Sequence, residues 1–460
     1  MLYRVFKLLL FVAFGLISIG SAADAPKPAV AGRQLVNGHG SRAHMSADGR
    51  FVAFDSYATN LVAGDKSQTS RVLVHDRSTG ATKVLNATGG GTPTNGASVS
   101  AVLTADGRYV AFASDANNLI PGDSNLFRDI FVRDLQTGKT ERVSVHTDGT
   151  ESVNGHSSHP SISADGRYAA FESAAINLAG GDTNGLIDIF VHDRETHVTI
   201  RVNVSTERYQ ALGGQSYHPS ISADGRYVVF VSDATNLVPG DTNKVTDIFV
   251  HDRVKSTTQR VSVASGGAQA EGGASTQPAI SGDGRYVAFV SEATNLVPDD
   301  TNGLADIFVR DTVKGTTQRV NVATGGAQAM GGHSFYPSIT PDGRFVAFLS
   351  DATTLVPKDT NNSWDIFVHD RQTGATERVS VASDGTQADA GSARPSLSAD
   401  GRYVAFESGA SNLVPDDTNG VVDIFVHDRQ TKKTTRVSML TDETTNKTAA
   451  GPRSKGEPKK

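Results

Sequence analysis

Six segments of the chain each place two aspartates and an asparagine within seven residues. They are Asp123, Asn125 and Asp129; Asp182, Asn184 and Asp188; Asp241, Asn243 and Asp247; Asp300, Asn302 and Asp306; Asp359, Asn361 and Asp365; and Asp417, Asn419 and Asp423. The fullest copies approach Asn-Leu-Val-Pro-Gly-Asp-Thr-Asn-Gly-x-x-Asp-Ile-Phe. Calcium takes six to eight oxygens from carboxylates, amides, backbone and water, so this donor set suits Ca2+. Glycines at 185, 303 and 420 would let the loop curl back on itself. The spacing is not that of an EF-hand: Asp193 would end a strand about 16 Å beyond Asp188. The competing reading is that Asp and Asn only cap turns through side-chain to backbone bonds. A seventh copy supports charge balance, because there Arg71 replaces the last aspartate and Lys66 follows Asp65. Six calcium sites and one silenced site are therefore expected.

A second set of residues varies where its surroundings are uniform. Just before the residue that is usually proline stand Arg42, Ser100, His159, His218, Gln277, Tyr336 and Arg394, with His156, Tyr217 and Phe335 close by. Together Arg42, His159, His218, Gln277, Tyr336 and Arg394 could hold a sugar, a peptide end or an anion; relaxed packing at an open loop is the alternative. His75, His192, His251, His369 and His427 share another slot, which Arg133 and Arg310 also fill. Each falls in a separate unit, so they cannot converge on one metal, and they are expected as strand-end surface residues. No Gly-x-Ser-x-Gly supplies a nucleophile elbow.

The elements that carry these residues follow from a repeat. Ser-Ala-Asp-Gly-Arg-Tyr, or a near copy, occurs seven times, its aspartates at 48, 106, 165, 224, 283, 342 and 400. One unit reads as four strands near 160–163, 168–173, 189–192 and 201–204, with a tight turn at Asp165-Gly166 and a long polar loop between the second and third. Four antiparallel strands repeated seven times predict an all-β, seven-bladed β-propeller, which leaves no long exposed edge. Alternating strand directions put the two long loops of every unit on one face. Residues 33–37 look like a further strand that could pair with the last blade and close the ring, or like a loose leader.

The run Pro-Ser-Ile-Ser-Ala-Asp-Gly-Arg-Tyr-Val-Ala-Phe, followed by Asp-Ile-Phe-Val-His-Asp, resembles the propeller repeat of the TolB-like family. The resemblance covers all seven units and implies the same propeller. It departs from the family in lacking tryptophan in the first strand of every unit. No α/β domain is expected ahead of the propeller, as there is in TolB.

Bulk properties narrow the function further. Arg4 and Lys7 precede an apolar run at 8–19 and then Gly20-Ser21-Ala22-Ala23, the pattern of a cleaved secretory signal. The run is shorter than the roughly 20 residues a spanning helix needs. The expected division is a signal peptide at 1–22, a leader at 23–40, the propeller at 41–440 and a disordered basic tail at 441–460. A net charge of −6 without a basic block argues against nucleic acid. The absence of cysteine excludes disulfides and thiol chemistry. The expectation is a monomeric periplasmic or secreted binding and scaffold module, stabilised by Ca2+, with a protein or glycan partner on the elaborated face. Its alternatives are a channel-mouth polysaccharide lyase or hydrolase, and a purely structural envelope protein.

Overall fold

The computed structural model describes residues 36–62, 69–85 and 94–440. The signal sequence, residues 33–35 of the presumed closing strand, Asp65, Lys66 and the basic tail lie outside them. Seven four-stranded antiparallel sheets follow one another along the chain, each made of four consecutive strands. The first blade is β1 (Gly40–Met45), β2 (Phe51–Ser56), β3 (Arg71–Asp76) and β4 (Ala81–Val84). The third is β9 (Ser157–Ile162), β10 (Tyr168–Ser173), β11 (Asp188–Asp193) and β12 (Val198–Arg201), and the seventh is β25 (Ser392–Leu397), β26 (Tyr403–Ser408), β27 (Asp423–Asp428) and β28 (Lys433–Arg436). The first strand of each blade neighbours the first strands of both adjacent blades, so these seven strands surround the central axis.

Middle strands are covered by a blade on either side, so they read as unbroken apolar runs rather than as an alternation. Val228, Val229 and Phe230 are fully buried, as are Ile248 and Phe249 on the strand beside them. Phe230 packs on Phe249 with ring centroids 6.1 Å apart, and other blades repeat the pair. Burying one such side chain is worth about 1.5–3 kcal/mol.

The Asp-Gly turn joins strands one and two and locks each blade to the one before. Asp165 accepts hydrogen bonds from the Ser163 hydroxyl and the Arg167 N–H, at 2.6 and 2.9 Å. Gly166 takes a φ of 77°, and a β-carbon there would lie 2.5 Å from the Tyr109 ring of the preceding blade. The Arg194 guanidinium covers that ring at 4.4 Å. The seam uses the same parts: Gly49 lies against Tyr403, and Arg77 stacks on Tyr403 at 4.3 Å. Gly40 N–H donates to the Val422 carbonyl at 2.8 Å, as Ser157 N–H does to Arg128. The described residues close the ring by this packing, and among them the seventh sheet consists of β25 to β28. Val36, which lies outside any strand, is buried in the cluster shared by the first and last blades.

On the face of the Asp-Gly turns, backbone bonds run from blade to blade. Ala399 N–H donates to Ala47, Ala47 to Ala105, Ala164 to Ala223, Ala223 to Gly282 and Gly282 to Pro341. Pro341 has no N–H with which to pass the chain on. These bonds draw that end of the channel together, so the end bearing the long loops is its mouth.

Candidate functional site at the channel mouth

Every innermost strand carries a bulge at the variable position. In the third blade Ala170 pairs with Ser161 and Glu172 with Ser158, leaving His159 and Pro160 opposite the single residue Phe171. Proline inside a strand is confined to edges and bulges, which explains why it recurs here. Arg42, Ser100, His159, His218, Gln277, Tyr336 and Arg394 all take left-handed φ, between 48 and 60°. For residues other than glycine this costs about 1 kcal/mol or more each, so surrounding bonds must hold it.

Those bonds come from side chains of the neighbouring blades. Glu172 of the third blade accepts the His218 N–H of the fourth at 2.8 Å. Asp55 accepts Ser100 N–H at 2.9 Å, Glu407 accepts Arg42 N–H at 2.8 Å across the seam, and Gln277 Oε1 accepts Tyr336 N–H at 2.7 Å. Asp55, Glu172 and Glu407 were not among the sequence candidates. Their signal was a carboxylate at a strand-two position that carries Ala113, Val231, Val290 and Leu349 in the other blades.

Two blades elaborate this scheme. In the seventh, the second oxygen of Glu407 takes Arg394 at 3.0 Å, and Arg394 lies over the Tyr336 ring at 5.2 Å. In the third, the second oxygen of Glu172 takes Nδ1 of His159 at 2.8 Å, and the His159 and His218 rings meet edge-on at 4.4 Å. Burial opposes ionisation of Glu172, but the two histidines outweigh it and hold the carboxyl below its usual range. Burial, and then His159, push His218 down to about 4. Asp55 is pushed up to about 6 by burial, against the Ser100 N–H and Arg42. The mouth is thus two paired sectors, Arg394 and Tyr336 with Glu407, and His159 and His218 with Glu172. Of the neighbours, Tyr217 stands edge-on to His218 at 5.4 Å, whereas His156 accepts the Arg128 N–H at 2.8 Å and serves the loop.

The six loop triads come together as expected, but around an arginine. Arg260 reaches Asp241 at 2.9 Å and Asp247 at 3.2 Å; Arg436 reaches Asp417 and Asp423 at 2.9 and 3.4 Å. Arg142, Arg201, Arg319 and Arg378 do the same for Asp123 and Asp129, Asp182 and Asp188, Asp300 and Asp306, and Asp359 and Asp365. Each comes from strand four, 13 residues after the last aspartate, a spacing visible in the sequence. Asn125, Asn184, Asn243, Asn302, Asn361 and Asn419 turn their oxygens to the N–H two residues on. Asp129 also accepts the Ser144 hydroxyl at 2.6 Å. In this arrangement a guanidinium stands between the two carboxylates, and the amide oxygen is engaged with the backbone. Burial, and then Asp423, push Asp417 up to about 6, which further lowers the negative charge.

The first blade departs from this arrangement. Arg71 replaces the aspartate, and Val84 stands where the strand-four arginine would be, since Leu73 pairs with Val84 as Phe131 pairs with Arg142. Arg71 is 1% exposed and donates to the Ala58 carbonyl.

The strand-three histidines do not converge, as expected, but they are buried rather than on the surface. His192 and His251 are 3% and 4% exposed and bond Thr199 and Thr258 through Nδ1 at 2.8 and 2.9 Å. Thr199, which holds His192, in turn donates to the Val145 carbonyl of the preceding blade, so this strand end lies against a neighbour. Arg133 and Arg310 keep the bond, to Thr140 and Thr317.

No family model matches the sequence, and no curated protein does. Solved structures do match. A prolyl endopeptidase is 12% identical with a TM-score of 0.52, the match covering 87% of this chain and 50% of that one. A puromycin-hydrolyzing peptidase from Mycobacterium tuberculosis gives 13% and 0.52, covering 87% and 53%. TolB from Acinetobacter baumannii gives 15% and 0.37, covering 78% and 88%. The chain spans about half the length of the two peptidases. At these identities the likeness is one of fold: the chain is a seven-bladed β-propeller, with TolB proteins among its structural neighbours.

Proposed function

We propose that this protein is an exported binding and scaffold module that takes a glycan or protein partner at the channel mouth. The observation that carries the reading is the ring of seven left-handed bulges. One backbone device is repeated in every blade, while its side chains run from Arg42 and Ser100 through His159, His218, Gln277 and Tyr336 to Arg394. A uniform scaffold displaying varied polar groups at the open end is the arrangement of a recognition surface. The signal-like N-terminal sequence supports export to the periplasm or beyond.

A second reading, a lyase or hydrolase, draws on the His159–Glu172 pair at 2.8 Å, where an imidazole and a carboxylate meet at the mouth. An acid–base pair of this kind is what proton abstraction needs.

The mature protein, screened on a glycan array and on a library of short peptides, should retain defined members. Alanine at His159, His218 and Tyr336 together should abolish that retention while moving the melting temperature by only a few degrees. Arg394 is left intact because it balances Glu407, whose side chain is 8% exposed. A triple variant that retains the same members with unchanged affinity would place the binding surface elsewhere.

A further inference from the structure

We propose that His159, Glu172 and His218 form a binding site for one divalent transition-metal ion of the zinc class. The three side chains each offer a ligand atom, and these atoms lie within 4.8 Å of one another; among the described residues no other group of three or more such side chains gathers so closely. Two imidazoles and a carboxylate are the donor set that zinc takes in sites with three protein ligands and one open position.

Comparison of the third and seventh blades explains why this spot suits a cation. Glu172 and Glu407 occupy the same place, and each spends one oxygen on the next blade's bulge N–H, His218 and Arg42 respectively. The other oxygen faces a nitrogen: the Arg394 guanidinium in the seventh blade, and His159 Nδ1 in the third. A guanidinium cannot ligate a metal, whereas an imidazole nitrogen can. The Glu172 side chain is 12% exposed and is already fixed by the His218 N–H, so it needs little reorganisation. His159 and His218 sit on equivalent bulges of adjacent blades, which turns their rings toward each other. His159 is 45% exposed, which leaves one side of the site open to the channel mouth. The site shares His159 and His218 with the proposed recognition surface, and its test needs no knowledge of the partner.

The test uses the mature full-length chain with any histidine tag removed and zinc chloride as the probe. Calorimetry at pH 7.5 should show one ion per chain. His159→Asn and His218→Asn should each weaken binding at least tenfold, and the double variant should abolish it. Asparagine is chosen because it adopts left-handed φ readily, so the bulges are kept. Glu172→Gln, which retains an acceptor for the His218 N–H, should also weaken binding at least tenfold. His197→Asn makes the same exchange at a left-handed turn on the opposite face (φ 60°) and should bind as the unaltered protein does. Cobalt(II) should give visible d–d bands with the unaltered protein and lose them with the double variant. No saturable zinc heat, or a single site whose affinity survives the double substitution, would overturn the proposal.

Discussion

His192 shows how one residue's environment becomes a measurable property of the protein. Burial, and then the neighbouring His197, lower its pKa from 6.5 to about 4. The unfolded chain therefore takes up a proton near pH 6.5, while the folded chain resists it until about pH 4. The imidazole's contribution is fully present above pH 6.5 and is lost as pH falls through that window. His192→Gln, which can still bond Thr199, should shrink the loss of stability between pH 7 and pH 4.5 by about 1 kcal/mol or more. Urea unfolding at the two pH values measures this, and an unchanged difference would show that His192 protonates freely in the fold. His251 and His427, lowered to about 4 for the same first reason, are available as repeats of the experiment.

The loop between strands two and three is best understood together with strand four. Its two aspartates, buried in a blade, need a cation, and strand four supplies it 13 residues later. In the first blade the charge has moved from strand four to strand three, as Arg71 with Val84. Arg71→Asp should destabilise the protein by roughly 3–5 kcal/mol, because it buries a carboxylate in the one blade whose strand four carries valine in place of the arginine. Adding Val84→Arg should return part of that loss, with a coupling of about 1–3 kcal/mol in a double-mutant cycle. Strict additivity would mean that the strand-four arginines are not the counter-ions. The pattern was legible in the sequence as a recurring Asp-to-Arg spacing. Reading the loop by itself hid it, because the partner lies across a strand pair.

At the scale of the whole molecule, seven similar interfaces close a ring. The seam between Tyr403 and Gly49 repeats what Tyr109 and Gly166 do inside the chain. With arginine already serving as counter-ion in six loops, millimolar calcium should leave the melting temperature unchanged to within about a degree. Ions bound at a hundredfold excess over Kd would instead add about 2.7 kcal/mol per site. A calcium-dependent rise, reversed by a chelator, would show that the ion displaces the arginines.

Sequence alone determined the blade count, the four strands, the turn with its glycine, and the two faces. These depend on local chemistry repeated seven times, such as the positive φ at Gly166 and the apolar run ending in Phe171. It also picked out the variable mouth residues, because a repeat makes departures from itself visible. Tertiary structure decided what those residues do. That the loop aspartates share an arginine was hidden because Asp241, Asp247 and Arg260 meet only when β15 (Asp247–Asp252) pairs with β16 (Thr257–Arg260). The strand-three histidines proved buried because their strand end packs against a neighbouring blade, as Thr199 does on Val145. His159, Glu172 and His218 come from two blades and two strands of one of them, so nothing in their linear spacing announces the cluster. Contacts between residues far apart in sequence follow from how strands stack around the axis, and that is set by packing across blades.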